Sequence, residues 1–366
     1  MATALLLVGG VGTQLRPLTL SKSKHLVHLG DKLLLQHTVE NLVKKANVRH
    51  IILAISYPEE ILNDFVDMCR TLYQCNIICS RETEPLGTAG PIALAVRTNL
   101  LKNDEHFFVI NADVACSFDL GALREFHLPH GKVGTIAVTN VDEPAKYGKS
   151  VVISNASGVI ERFVEHGRKF AGSSINSGVY IFSARIFQYI DERPTSLERE
   201  ILPQLASEGQ LSSMHLDGYW MNVKSPLNFL QGQSLYMDSL RQATLRPNVG
   251  ASLTSSIEGS IVEGNIMVDP NATVGPGSHI GPDVYIGSGA VLDEGVRLAH
   301  CIILPGGHIG AHATVIQSIV GWGANVGRWT RIEGVSLLGE GAEVGPEIWL
   351  NGVSILPRDI ISESVN

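Results

Sequence analysis

From Val268 onward, apolar residues recur at every sixth position: Val268, Val274, Ile280, Ile286, Leu292, Leu298 and Leu304. After slips the series resumes at Ile309 and Val315, and again at Val320, Val326, Ile332, Leu338, Val344 and Leu350. Glycine or proline commonly follows the apolar residue. This is the hexapeptide repeat of a parallel β-helix, in which each apolar side chain points inward and stacks on its equivalent in the next coil.

Upstream the pattern is different. Ala4-Leu-Leu-Leu-Val8, Ile51–Ile55, Ile77–Cys79 and His106–Ile110 are short apolar runs without polar alternation, as expected of strands buried on both faces. Helical periodicity falls between them at 32–45, 59–69 and 90–101, which implies a Rossmann-like, doubly wound α/β sheet. Further strands are expected at 135–139, 150–153, 162–165 and 179–182, and a helical turn at 196–201. With 366 residues, 44% of them hydrophobic, the chain can fill two cores. The expected division is 1–240, a linker at 241–256, and 257–366.

The first strand ends in Gly9-Gly-Val-Gly-Thr13, followed by Gln14, Arg16, Lys22 and Lys24. Glycines there let the backbone approach a ligand, and successive N–H groups can form an anion-binding nest. A plain strand–helix turn needs glycines too, but the cations beyond the loop make the stretch a phosphate-site description. No Gly-Lys-Ser/Thr follows, which excludes a Walker A loop, and Leu15 stands where a dinucleotide fingerprint needs its third glycine. Ligands of doubly wound sheets bind beyond the carboxyl ends of the strands. The glycine loop and Asn111-Ala-Asp113 are both strand ends, so both are expected at one crevice.

A formal net charge of −8 argues against nucleic acid and anionic membranes as general partners. The first apolar run is too short for a signal sequence or a membrane span. Five scattered cysteines without a Cys-x-x-Cys pair are expected to be reduced thiols, so the protein is expected in the cytoplasm.

The glycine stretch resembles the G-G-x-G-T-R-L-x-P-L-T signature of sugar-nucleotide pyrophosphorylases. The whole chain resembles the GDP-mannose pyrophosphorylase (mannose-1-phosphate guanylyltransferase) family, its catalytic β-type above all. The carrying stretches are Glu82-Thr-Glu-Pro-Leu-Gly-Thr-Ala-Gly-Pro91, Phe107–Val114, Glu143-Pro-Ala-Lys-Tyr-Gly148, Arg162–Glu165, Ile175-Asn-Ser-Gly-Val-Tyr180, Arg193-Pro-Thr-Ser-Leu-Glu198 and Gly218-Tyr-Trp-Met221.

The resemblance implies an α/β nucleotidyltransferase domain followed by a left-handed parallel β-helix. It implies attack by a phosphate oxygen of mannose 1-phosphate on the α-phosphorus of GTP, with Mg²⁺ and cations neutralising the charge. Nucleotide binding would fall to Leu7, Gly9, Gly10, Gly12, Thr13, Gln14, Leu86, Gly87, Thr88, Ala89 and Asn111. Arg16, Lys24 and Asp113 would be the catalytic groups. Gly148, Glu165, His166 and Asn176 would hold the sugar phosphate, and Asp113 with Asn222 would mark the Mg²⁺ positions.

Departures from the family pattern gather at these positions. Gln14 stands for an arginine, Lys22-Ser-Lys-His25 for a Pro-Lys-Pro pattern, His166 for a lysine and Asn222 for the second Mg²⁺ carboxylate, with Lys224 added nearby. Each lost contact of this kind costs ~10²–10³ in rate, although such losses do not simply multiply. The implied protein binds GTP or GDP-mannose, turns over weakly or not at all, and acts in a homo-oligomer or with an active subunit. Trp322, Trp329 and Trp349 in the final coils are candidates for the interface or for capping the core. A working guanylyltransferase is the alternative. A β-helix acyltransferase using His279, His300, His308 or His312 is a third.

Overall fold

The structure is a computed structural model that describes residues 2–10, 12–101, 106–147, 150–164, 173–191, 193–244, 254 and 257–365. The chain forms two compact units, Met1–Gly10 with Leu35–Trp220, and Val11–Leu34 with Met221–Asn366.

The first unit is built on a mixed sheet, nine-stranded among the described residues. Its parallel centre consists of β1 (Ala2–Leu7), β2 (Val48–Ile55), β3 (Asn76–Arg81) and β4 (His106–Asn111), with β1 between β2 and β4. A long strand, β5 (Ser174–Ser183), then pairs antiparallel with β4, so the sheet changes direction there. The central strands are apolar through their middles, and Leu5, Phe107, Val109, Tyr180 and Phe182 all enter one core. That burial on both faces is why their sequences do not alternate.

Helices fall where the periodicity places them, with shifted ends. Lys32–Leu33 is a short strand, and the first long helix, α1, covers Leu34–Ala46. The 59–69 segment begins as a 3-10 turn and becomes helical at Asn63–Tyr73, here α2. Helix α3 (Gly90–Arg97) ends short of 101 because Leu100 N–H turns back to the Ala95 carbonyl. The turn at Leu197–Ile201 is of π type and runs into a short α-helix at Leu202–Ser207.

The second unit contains the β-helix. Three parallel sheets of six short strands each form its walls among the described residues. Register shows one correction to the repeat. Ile286 pairs with Ile303, and Ile303 with Val320, so Ile303, not Leu304, is the stacking residue. The first slip therefore lies before 303, in a coil of seventeen residues. His300 at φ 49° turns that shortened corner, and Cys301 fills the inside. Ile280, Ile286, Leu292, Leu298, Ile309, Val326 and Ile332 are all core residues, as the sixfold spacing requires.

One wall is apolar on its outer side as well. Met267, Tyr285, Ile302, Ile319 and Leu337 follow one another in register, face away from the coil interior and are all buried. The segment 12–34 and helix α4 (Pro226–Thr244) belong to the same unit and pack here. A Cβ on Gly30, at φ +64°, would stand 2.7 Å from the Tyr236 ring and 3.4 Å from Met267 Sδ. Tyr236 donates its hydroxyl proton to Asp31 Oδ1 at 2.7 Å, and Asn265 Nδ2 donates to Asp238 Oδ1 at 2.7 Å. Helix α4 runs past position 240, so the first four residues of the expected linker are helical; most of the rest lies outside the described residues. Among the described residues, no helix is long and apolar enough to cross a membrane.

Candidate active site

In the first unit the two strand ends meet. Leu7 of β1 pairs with Asn111 of β4, and Ala112 N–H donates to the Leu7 carbonyl at 3.2 Å. Gly9 and Gly10 continue from Leu7 as exposed chain, and Asp113 follows Asn111 in a half-buried turn. The Asn111 side chain lies against Gly178, where a Cβ would come within 2.7 Å of Nδ2; at φ +82° only glycine suits that position.

Gly178 belongs to an irregularity in β5 between Asn176 and Val179. Asn176 stabilises it: Oδ1 accepts from Gly178 N–H, and Nδ2 donates to Tyr180 Oη, both at 2.9 Å. The Asn176 amide thus spends one donor and one acceptor inside its own strand.

The loop 86–89 is clamped to 195–198. Thr195 N–H donates to Leu86 O at 3.0 Å, and Ala89 N–H to Thr195 O at 2.9 Å. Gly87, at φ +73°, would bring a Cβ within 2.4 Å of Thr195 O. Thr88 Oγ1 donates to Glu198 Oε2 at 2.7 Å and accepts from Leu197 N–H at 2.8 Å. Tyr180 Oη donates to the other Glu198 oxygen at 3.4 Å. Burial, and secondly the Glu198 charge, pushes the Tyr180 phenol far above its usual range; Asp113 adds to the same push. One hydrogen-bonded line therefore joins Thr88, Glu198, Tyr180 and Asn176.

Sequence reasoning assigned no role to Tyr180, Glu198 or Glu82. All three lie in stretches that carry the family resemblance, which is the available signal. Glu82 accepts from Leu86 N–H at 3.1 Å, and burial raises its pKa. Its other oxygen lies 3.8 Å from where a Gly9 Cβ would stand. A cavity of about 240 Å³ opens beside it, lined by Arg81, Glu82, Leu86, Gly90, Arg97 and Arg193.

In the second unit, Gly12 takes the left-handed conformation and starts a 3-10 turn, Thr13–Leu15, with Thr13, Gln14 and Arg16 exposed. Lys24 is only 9% exposed. Asn222 is 3% exposed, and among the described residues neither its Oδ1 nor its Nδ2 has a hydrogen-bond partner. Gly148, Glu165 and His166 lie outside the described residues.

Mg²⁺ prefers carboxylate oxygens held in octahedral geometry. Asp113, in its strand-end turn, is a suitable donor. Asn222 offers a neutral amide oxygen and fits that ion poorly. Among the described residues no three His, Cys, Asp or Glu side chains cluster as a metal site.

The four β-helix histidines do not gather. His279 is 3.4 Å from Glu263, His300 is 3.3 Å from Asp283, and His308 is 3.2 Å from Asp293. His312 instead packs against Trp329, with ring centroids 4.4 Å apart and the planes tilted by 31°.

Comparison with known proteins agrees with this architecture. The nucleotidyl transferase family model matches residues 3–239, and the GMPPB C-terminal domain model matches residues 262–366. The mannose-1-phosphate guanylyltransferase catalytic subunit beta of Danio rerio is 47% identical over 363 residues, covering 99% of this chain and 98% of that protein. Mannose-1-phosphate guanyltransferase beta-B of Xenopus laevis is 48% identical over 364 residues, with 99% and 98% covered. Among solved structures, HddC from Yersinia pseudotuberculosis complexed with GMP-PN is 26% identical, with a TM-score of 0.54 over 64% of this chain and 100% of that one. The chain belongs to the mannose-1-phosphate guanylyltransferase family.

Proposed function

We propose that this family member binds GTP, GDP-mannose and mannose 1-phosphate but turns them over weakly or not at all. It serves as a regulatory or structural subunit of GDP-mannose synthesis in the cytoplasm. The observation that carries this reading is Asn222, a buried amide with both polar atoms unpartnered where the family pattern has a metal-binding carboxylate. Gln14 removes a second contact, since an amide lacks the charge and fork geometry of arginine. The intact strand ends and the clamped 86–89 loop support retained nucleotide binding, and a neighbour of the same fold was solved with GMP-PN. Chemistry that depends on charge neutralisation suffers from these changes more than binding does.

Assembly is part of the proposal. Trp322 is only 5% exposed, packed within its own chain, whereas Trp329 is 61% exposed on the β-helix surface, which supports association through that surface with a second copy or an active subunit. A working guanylyltransferase is the second reading, supported by identity of 47% to a catalytic subunit over 99% of the chain. One assay separates the two: purified chain with GTP, mannose 1-phosphate and Mg²⁺, followed by pyrophosphate release. Turnover in the ordinary enzyme range of about 1–10³ s⁻¹ overturns the first reading and establishes the second.

A further inference from the structure

The segment 12–24 carries Arg16 and Lys24 but has little regular structure of its own. It holds a 3-10 turn, Thr13–Leu15, a single helical turn at Leu18–Ser21, and the first residue of a second 3-10 turn, Lys24–Leu26. Elements this short are not stable alone, so tertiary contacts must order them. Two of these are internal. Thr19 Oγ1 donates to Gly12 O at 2.7 Å, and the Lys24 stem lies against Gly12, with its Cβ 3.0 Å from where a glycine Cβ would stand.

The third contact leads into the β-helix. Lys22 Nζ lies 4.6 Å from the centroid of the Trp322 ring. Trp322 occupies a coil turn just after the Ile319–Val320 strand, on the wall whose outer side is apolar and buried. Its Nε1–H is buried without an acceptor, so a tryptophan here carries the cost of an unmade hydrogen bond. The face of the ring is what the segment uses. A continuous line of contact runs from Trp322 to Lys22, two residues along to Lys24, and from its stem to Gly12.

We propose that Trp322 is a positioning residue for the phosphate-binding segment: through Lys22 the β-helix sets where Lys24 and Gly12 stand. This rests on the reading that the segment binds nucleotide phosphates. It gives the β-helix a part in substrate binding through contacts within a single subunit.

The test uses the full chain with Trp322→Leu, Lys22→Met, their double variant, and Trp322→Phe, which keeps a ring face. Hydrogen–deuterium exchange over 12–24 is measured without nucleotide, and GTP affinity by calorimetry. Trp322→Leu and Lys22→Met should each speed exchange over 12–24 and raise the GTP Kd by ~2–5-fold, the scale of one exposed cation–π contact. The double variant should match the single ones, because both remove the same contact. Trp322→Phe should stay near wild type. Unchanged exchange over 12–24 in both single variants, or effects that multiply in the double one, overturns the proposal. If the wild type binds no GTP, the proposed function fails, while the exchange measurement still decides this inference. If Trp322→Leu does not fold, Lys22→Met, at an exposed position, gives the same readings.

Discussion

Thr88 Oγ1 donates to Glu198 Oε2 at 2.7 Å across 110 residues of chain, and the same hydroxyl accepts Leu197 N–H. One small side chain therefore fixes the loop 86–89 to the segment that supplies Glu198. Thr88→Val keeps the shape but leaves a carboxylate oxygen and a backbone N–H short of a partner. The expected loss is ~1–3 kcal/mol in urea unfolding, with Thr88→Ser recovering most of it. Calorimetry should show weaker GTP binding for the valine variant alone.

Gly87 tests the same clamp from the backbone side. Gly87→Ala puts a methyl group 2.4 Å from Thr195 O at φ +73°, whereas Gly131→Ala, at φ +64°, meets nothing within 4 Å. Both pay for the left-handed conformation, roughly 1–2 kcal/mol. Only Gly87→Ala adds a collision with rigid backbone, so it should lower the urea midpoint clearly further than Gly131→Ala.

Acid sensitivity should come from histidines away from the site. His127 Nε2 is 3.0 Å from His106 Nδ1, and the Thr135 hydroxyl bonds both His127 and His130 at 2.8 Å. Burial, then His130, His106 and Arg185, lower the His127 pKa from 6.5 to about 3. Burial, then Lys132, lower that of His130. The unfolded imidazoles take up protons first, so this stability is complete above the unfolded value and is lost as pH falls toward the folded ones. The urea midpoint should drop between about pH 7 and pH 4, and His127→Gln should flatten that slope.

How far the sequence reveals this molecule depends on whether a feature is local or tertiary. Stacking residues such as Ile286 and Val326 announce themselves by spacing, because every coil repeats one environment. Ile303 does not, since the shortened coil before it breaks the count and Leu304 is equally apolar. Leu7 and Asn111 end apolar runs, so their meeting at the carboxyl end of the central strands was legible. Glu198 was not, because what makes it part of the site is Thr88, far away in sequence. The grouping of 12–34 with the β-helix was equally hidden: Lys22, Gly30 and Asp31 acquire meaning only against Trp322 and Tyr236.

Restoration is the strongest test of a weakened site. Gln14→Arg, His166→Lys and Asn222→Asp together return charge at the three departed positions, with Lys224→Gly added so that the new carboxylate is not captured by a neighbouring cation. Asn222→Asp should matter most, because a carboxylate changes metal occupancy while the other two change local field. It also has a signature independent of turnover. A buried carboxylate without a partner is destabilising, so Asn222→Asp alone should unfold at lower urea in EDTA than wild type and recover on adding Mg²⁺. The quadruple variant should exceed the wild-type rate by ~10²-fold or more, the scale of one to two restored contacts. A Mg²⁺-insensitive Asn222→Asp protein would show that position 222 does not face the metal. The weak-turnover reading would then lose its main support.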